Sequence, residues 1–267
     1  MEYQKFIPEG WVETKEEYNI DGLKTALENK DVIQGFVTSC DNNYNLHVDL
    51  GNNIKGVIPR NEVDAINSDE YGFCKPNLCV NKVNSFVQFK VKEIYDNNNV
   101  ILSRKEVGTD ALNWVKTSLE PHTVINGIVK NIRKYGVFVE IGGGMVGLLH
   151  IEDISVSRMK TPEEIFQVGQ KIQVMIKSVD KETGRIILSY KELLGDWDEN
   201  IKSFKEKMIV PGIIKEADKY KNGIFIELKP NLVGLAEYKE GFSYGERVNV
   251  FIKKIVKDKK KIKLVIV

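Results

Sequence analysis

Cysteine is scarce in this chain of 267 residues, which has three in all, Cys40, Cys74 and Cys79. So odd and sparse a set argues against a disulfide framework and for free thiols in a reducing compartment. Cys74 and Cys79 stand close together, but no second Cys/His pair follows them, so no zinc site is expected. No apolar run approaches the ~18 residues that cross a bilayer, and the opening MEYQKFIPEG has no apolar signal core. The expectation is a soluble, cytoplasmic protein that engages no membrane. Histidine is also rare, with only His47, His122 and His150. No Ser-His-Asp arrangement, no phosphate-cradling GxxxxGK and no carboxylate cluster accompanies them, so no catalytic residue, metal or cofactor is expected, and the chain does not read as an enzyme. Gly142-Gly143-Gly144 reads as a hairpin turn, since no helix follows it to complete a phosphate loop.

Net charge is nearly absent too: 39 Lys/Arg against 38 Asp/Glu leave +1, which excludes a uniformly basic nucleic-acid binder. The sum conceals an asymmetry. Residues 1–120 hold 13 basic and 19 acidic side chains, a net of −6. Residues 121–191 hold 10 and 7, residues 192–200 four acids alone, and residues 201–267 hold 16 and 8, a net of +8 for the last stretch. The C-terminal two-thirds is thus expected to face something anionic.

What the sequence does have is an internal repeat. VIQGFV (Val32 to Val37) matches VINGIV (Val124 to Val129), YNLHVDL matches YGVFVEI, and KGVIP matches VGLLH. VQFKVKEI (Val87 to Ile94) then matches IQVMIKSV, and VILSRK matches IILSYK. PGIIKEA, NGIFIEL, VGLAE, ERVNVFIKKI and KIKLVIV follow in the same order. Three copies of one unit are the signature of a tandem array. Within each copy VFVEI, GIFIEL and QVMIKSV alternate apolar and polar side chains, the period of a half-buried strand. Turn residues such as Asp41-Asn42-Asn43 and Asp180-Lys181-Glu182-Thr183-Gly184 separate the strands. Five short strands per unit suffice to close a small barrel, which removes exposed edges.

The expected architecture is mainly β: three tandem five-stranded barrels joined by short α-helical linkers. The boundaries read as a helical lead-in over 1–30, a first barrel over 31–105, a linker over 106–120, a second barrel over 121–191, a linker over 192–207 and a third barrel over 208–267. Apolar residues at helical spacing mark the linkers: Ala111, Leu112, Val115 and Leu119 in one, and Leu193, Leu194, Trp197, Ile201 and Phe204 in the other, which runs from Lys191 to Lys207. Trp114 and Trp197 read as packing anchors. A similar stretch, Glu13 to Lys30, precedes the first barrel.

The string GIVKNIRKYGVFVEI, GLLHIEDIS, VGQKIQVMIKSVD, GRIILSYK (Gly127 to Lys191) resembles an S1 RNA-binding domain, the five-stranded OB-fold barrel first recognised in bacterial ribosomal protein S1. The likeness covers residues 121–191 and extends in degenerate form to 31–105 and 208–267. The tandem layout is similar to short homologues of ribosomal protein S1. The resemblance implies an RNA-facing patch of two aromatics and a histidine, here Tyr135, Phe138 and His150. The residues support the same use. Val137 and Val139 claim the core side of their strand, which leaves Phe138 facing out, where an aromatic is costly unless it is used. Lys130, Arg133, Lys134 and Arg185 flank these strands as candidate phosphate partners.

The outer barrels depart from this pattern. In the first, Asn45, His47 and Pro59 replace the Gly, Phe and His positions, and only Tyr44 survives, so a docking or spacer role is expected. In the third, Phe225 and Gly223 persist but Asn222 and Glu237 replace the first aromatic and the histidine. Phe225, Tyr220, Lys221, Lys253 and Lys254 are the auxiliary RNA-binding candidates there. The expected function is single-stranded RNA binding in translation or RNA handling, with the ribosome or RNA-processing proteins as possible partners. An accessory subunit of an RNA-processing or degradation complex, and a protein-interaction scaffold with degenerate barrels, are the alternatives.

Overall fold

The computed structural model describes residues 5–95, 99–218 and 223–267. Its β-strands form three closed five-stranded barrels in series. The first comprises β1 (Ile33–Cys40), β2 (Leu46–Asp49), β3 (Lys55–Ile58), β4 (Phe86–Ile94) and β5 (Asn99–Ser103); the second comprises β6 (Val124–Arg133), β7 (Gly136–Glu140), β8 (Val146–His150), β9 (Lys171–Val179) and β10 (Ile186–Ser189). The third runs from β11 (Ile209–Asp218) through β12 (Gly223–Lys229), β13 (Leu232–Glu237) and β14 (Arg247–Val256) to β15 (Lys261–Ile266). In each barrel the first strand pairs antiparallel with the second and the fourth, and the third pairs parallel with the fifth to close the ring. The alternation read from sequence is what fills the barrels: Val129, Val137, Val139, Leu149, Val174, Ile176 and Leu188 are all wholly buried in the second.

One interruption of that alternation recurs. In the first and fourth strands of every barrel the register slips by one residue, which leaves Thr38 and Lys92, Lys130 and Lys177, and Lys215 and Lys253 as the extra residues of β-bulges. Two of these lysines meet the same kind of partner. Lys92 donates to Glu62 at 2.5 Å and Lys177 to Asp153 at 2.7 Å, each acid lying in a 3-10 turn just after the third strand. Burial works to raise Asp153, but hydrogen bonds from Lys177 and Lys191 win and hold its carboxyl below the ordinary range. The third barrel has no such turn after β13, and among the described residues Lys253 has no acidic partner.

The first linker is a helix, α3 (Arg104–Thr117), following α1 (Ile20–Asn29) and a short α2 (Pro76–Val80). Ser103 caps it by accepting from the Glu106 N–H. Val107, Ala111 and Val115 bury against the second barrel's core, and Trp114 anchors there with its ring 5.7 Å from Phe6. The second linker corrects the expectation of one helix over Lys191 to Lys207. A 3-10 turn over Lys191–Leu194 ends at Gly195, whose φ of 78° leaves helical space, and Asp196 then caps a five-residue α4 (Trp197–Ile201). The lead-in departs as well: among its described residues only Ile20–Asn29 is helical, because the Asn19 side chain starts the helix there by accepting from Gly22 N–H.

Two joints fasten the barrels. Between the first and second, Glu9 is buried, accepting from Arg104 Nε and Nη2, from Lys82 Nζ and from the Gln88 N–H, while its own N–H donates to Glu140. Burial opposes the Glu9 charge, but the Arg104 and Lys82 cations prevail and hold its carboxyl well below the usual range. Between the second and third, Glu164 accepts from the Tyr244 hydroxyl and pairs with Lys215, Arg158 pairs with Glu216, and Asn231 sits in the β12–β13 turn. Its Oδ1 accepts from the Val156 N–H and its amide donates to the carbonyls of Lys191 and Gly195.

Candidate nucleic-acid interface

The β6–β7 hairpin sets the second barrel's outer surface. Arg133 pairs with Gly136 across it, and Lys134 and Tyr135 form the turn. Gly136 in turn pairs with His150 on β8. A Cβ on Gly136 would stand 2.6 Å from the Leu149 carbonyl oxygen and 3.1 Å from the His150 Cα, so only glycine lets β8 bring His150 this close. Tyr135 is half exposed and lies edge-on to Phe138, with ring centroids 6.2 Å apart. Phe138 faces out between the buried Val137 and Val139. His150 is partly exposed and accepts from the Glu152 N–H through Nδ1. These three rings therefore share one patch, and the side chains of Arg133 and Lys134 beside it stand outside every ion pair among the described residues.

The other two candidate cations lie elsewhere. Lys130 sits at the joint between barrels, where its ammonium donates to the Glu9 carbonyl at 3.3 Å and lies 4.0 Å from Glu140. Arg185 precedes β10, whose parallel register with β8 puts it level with Val146, about 13 Å along the strand from His150. Lys177 and Lys191, beside the His150 end, were not among the sequence candidates; both are tied to Asp153.

A row of residues crosses the outer face of every barrel at the same register. In the second it is Asn131, Phe138, Leu148, Ile187 and Ser178. In the first it is Ser39, His47, Val57, Ile101 and Glu93. There His47 lies 3.4 Å from Asp41, and the Arg60 guanidinium covers the surviving Tyr44 ring at 5.2 Å, so this face is occupied by its own side chains. In the third barrel the row is Glu216, Phe225, Leu235, Lys263 and Lys254. Phe225 and Lys254 thus share this row with Leu235 and Lys263 between them, and Lys253 is exposed in the adjacent bulge. Tyr220 and Lys221 lie outside the described residues. Leu235 and Lys263 were missed, although Ile262 and Leu264 facing the core already put Lys261 and Lys263 outside.

The model of the S1 RNA binding domain matches residues 26–105 and 118–191. The small ribosomal subunit protein bS1 of Staphylococcus aureus (strain COL) is 32% identical over 235 residues, 86% of this chain and 56% of that protein. The same protein of Staphylococcus epidermidis is 32% identical over 270 residues, 95% of this chain and 65% of its own length. The chain thus spans a little over half the length of these relatives. The solution structure of GSP13 from Bacillus subtilis is 29% identical, covering 39% of this chain and 68% of that one, at a TM-score of 0.28. Two matched segments spanning more than half the sequence, each folded as a closed five-stranded barrel, make this chain a member of the S1 RNA-binding domain family.

Proposed function

We propose that this chain binds single-stranded RNA, chiefly through the second barrel, and holds messenger RNA near the ribosome during translation. The observation that carries this reading is the partly exposed patch of Tyr135, Phe138 and His150 beside the cations Arg133 and Lys134, which pair with no acid among the described residues. Flat rings take bases by stacking and the cations take phosphates, a combination that accepts any unpaired sequence. The kinship to small ribosomal subunit protein bS1 supports the ribosome as the setting and the cytoplasm as the place. The chain acts here as a binding protein without catalysis. The first barrel, its face already filled, serves as a docking or spacer module.

Fluorescence anisotropy of a labelled oligo-U strand, titrated with wild type and with a Phe138→Ala/His150→Ala variant, tests the reading. Each stacked base contributes about 1–3 kcal/mol, so the double variant is expected to bind at least tenfold more weakly with its thermal unfolding unchanged. Equal affinity for the two proteins would overturn the assignment to the second barrel.

A further inference from the structure

The outer surface where the first, fourth and fifth strands run side by side is used differently in the three barrels. In the first barrel it is covered. Gln88 and Lys90 on β4 are both buried there. The Gln88 N–H donates to Glu9 of the N-terminal segment, and Lys90 donates to Asp110 of α3 at 2.5 Å. Beside them the Gln34 amide on β1 donates to the Val12 carbonyl. In the second barrel the matching positions are Val124, Met175 and Ser189 in one row and Asn126 and Gln173 in the next. That set is mostly polar, and Gln173 donates to Asn126 across the strands.

In the third barrel the same rows read Ile209, Phe251 and Val265, then Pro211 and Asn249, with Val267 donating its N–H to the Asn249 carbonyl. Phe251 thus stands where the second barrel has Met175, Val265 where it has Ser189, and Pro211 where it has Asn126. The face has turned apolar without being covered: Ile209 is 62% exposed, Val265 39% and Val267 64%. These residues add nothing to the barrel's core, which Ile214, Val250, Ile252 and Leu264 already fill. A contiguous apolar face in water marks an interaction surface.

The charges around it select the occupant. Lys254 and Lys263 oppose each other just beyond Phe251 and Val265, and Arg247 stands at the other end of β14. None of the three pairs with an acid among the described residues. A second copy docked through the same face would bring these cations against their own kind, because a two-fold interface is self-complementary. An RNA strand gains little from Ile209, Val265 and Val267, whose aliphatic side chains offer no ring for a base to stack on. The first barrel shows the shape that fits, since α3 packs along β4 and meets it with an acid.

We infer that this face of the third barrel docks an acidic amphipathic helix of a partner protein, with the helix's apolar stripe on Ile209, Phe251 and Val265 and its carboxylates on Lys254, Lys263 and Arg247. The helix occupies on the third barrel the place that α3 occupies on the first, by the helix-to-apolar-face mode of recognition. The inference does not rest on the RNA-binding reading, whose rings lie on other strands.

The test uses the full chain and two labelled synthetic helices of about 18 residues, both with leucine at i, i+3, i+4 and i+7 spacing. One carries glutamate on its polar face and the other lysine. Anisotropy titrations compare the wild type with an Ile209→Ser/Val265→Ser variant; both positions are exposed, so the variant folds, as its melting curve will verify. The acidic helix is expected to bind the wild type roughly tenfold more tightly than the variant, and the basic helix is expected not to bind. Failure of the acidic helix to bind, equal binding of the two helices, or equal affinity for the two proteins overturns the inference. Light scattering that shows the wild type self-associating and the variant monomeric assigns the face to a second copy, and overturns it as well. Oligo-U affinity is expected to be the same for both proteins; a fall in the variant assigns the face to RNA and sinks the partner helix.

Discussion

Glu9 carries a full charge where water does not reach, 3% exposed, and it does so because three positive or N–H donors converge on two oxygens. Removing one partner of such a group leaves the others uncompensated, which costs about 3–5 kcal/mol. Glu9→Ala is therefore expected to lower the unfolding midpoint sharply, with Arg104 and Lys82 left facing each other. A midpoint within a degree of wild type would show that the joint does not depend on this carboxylate. Phe138 behaves oppositely: facing outward, it can be truncated at little cost to the fold. At this scale the sequence was half legible. The outward turn of Phe138 followed from Val137 and Val139 on either side. The burial of Glu9 did not follow from anything local, since its partners lie 73 to 131 residues away.

Elements were more legible than residues, and their interruptions carried a signal that went unread. Every bulge of the first and fourth strands falls inside an apolar-polar-polar-apolar quartet: Val37-Thr38-Ser39-Cys40, Val91-Lys92-Glu93-Ile94, Val129-Lys130-Asn131-Ile132, Ile176-Lys177-Ser178-Val179, Ile214-Lys215-Glu216-Ala217 and Ile252-Lys253-Lys254-Ile255. Two polar residues in succession break the period of two, and one extra residue in the ladder restores it. Missing that slip is what sorted Lys130 with the phosphate-facing cations. The second linker failed for a different reason. Its apolar spacing was helical, but Gly195 and the Asp196 cap overrode it, as a turn signal overrides periodicity when the segment is short. The β6–β7 hairpin offers an element-scale prediction. Gly136→Ala pushes a methyl against the Leu149 carbonyl, so β7 and β8 must part. The expected result is a loss of about 1–3 kcal/mol in stability together with weakened oligo-U binding, because His150 moves with β8. Weaker binding without any stability change would place the effect outside this strand pair.

Across the whole molecule, charge runs from an acidic first 120 residues to a basic third barrel, and the two joints differ in what holds them. The first joint holds a titratable group near neutrality: burial and the neighbouring Glu9 charge push the Glu140 carboxyl up to about 7, against the pull of Lys130, Lys82 and the Gly144 N–H. Its value in the unfolded chain is about 4.3, so the folded joint prefers the protonated form. The stability this confers is complete at the acid end of that window and is lost as pH rises through 7. Thermal unfolding is therefore expected to shift upward from pH 8 to pH 5.5, by up to about 1.4 kcal/mol per pH unit. Glu140→Gln should flatten the dependence. Glu9, held low, gives up its contribution only in stronger acid. A wild-type midpoint that falls over the same range would show that another group controls the joint. The second joint combines the neutral amide of Asn231 with the Glu164 carboxyl, whose burial works upward but which hydrogen bonds from Tyr244 and the Lys160 N–H hold below the ordinary range.

The separation between Glu9 and Glu140 also fixes an order in time. The two are 131 residues apart, and synthesis at about 5–20 residues per second puts on the order of ten seconds between their appearances. The first barrel can close its own ring in that interval and supply the Arg104, Lys82 and Gln88 partners of the Glu9 carboxylate, but the Glu9 N–H has no Glu140 to donate to until β7 has been made. The segment around Glu9 thus waits as a half-closed clasp, and whatever meets its free side in those seconds decides whether the first two barrels join each other or a neighbour.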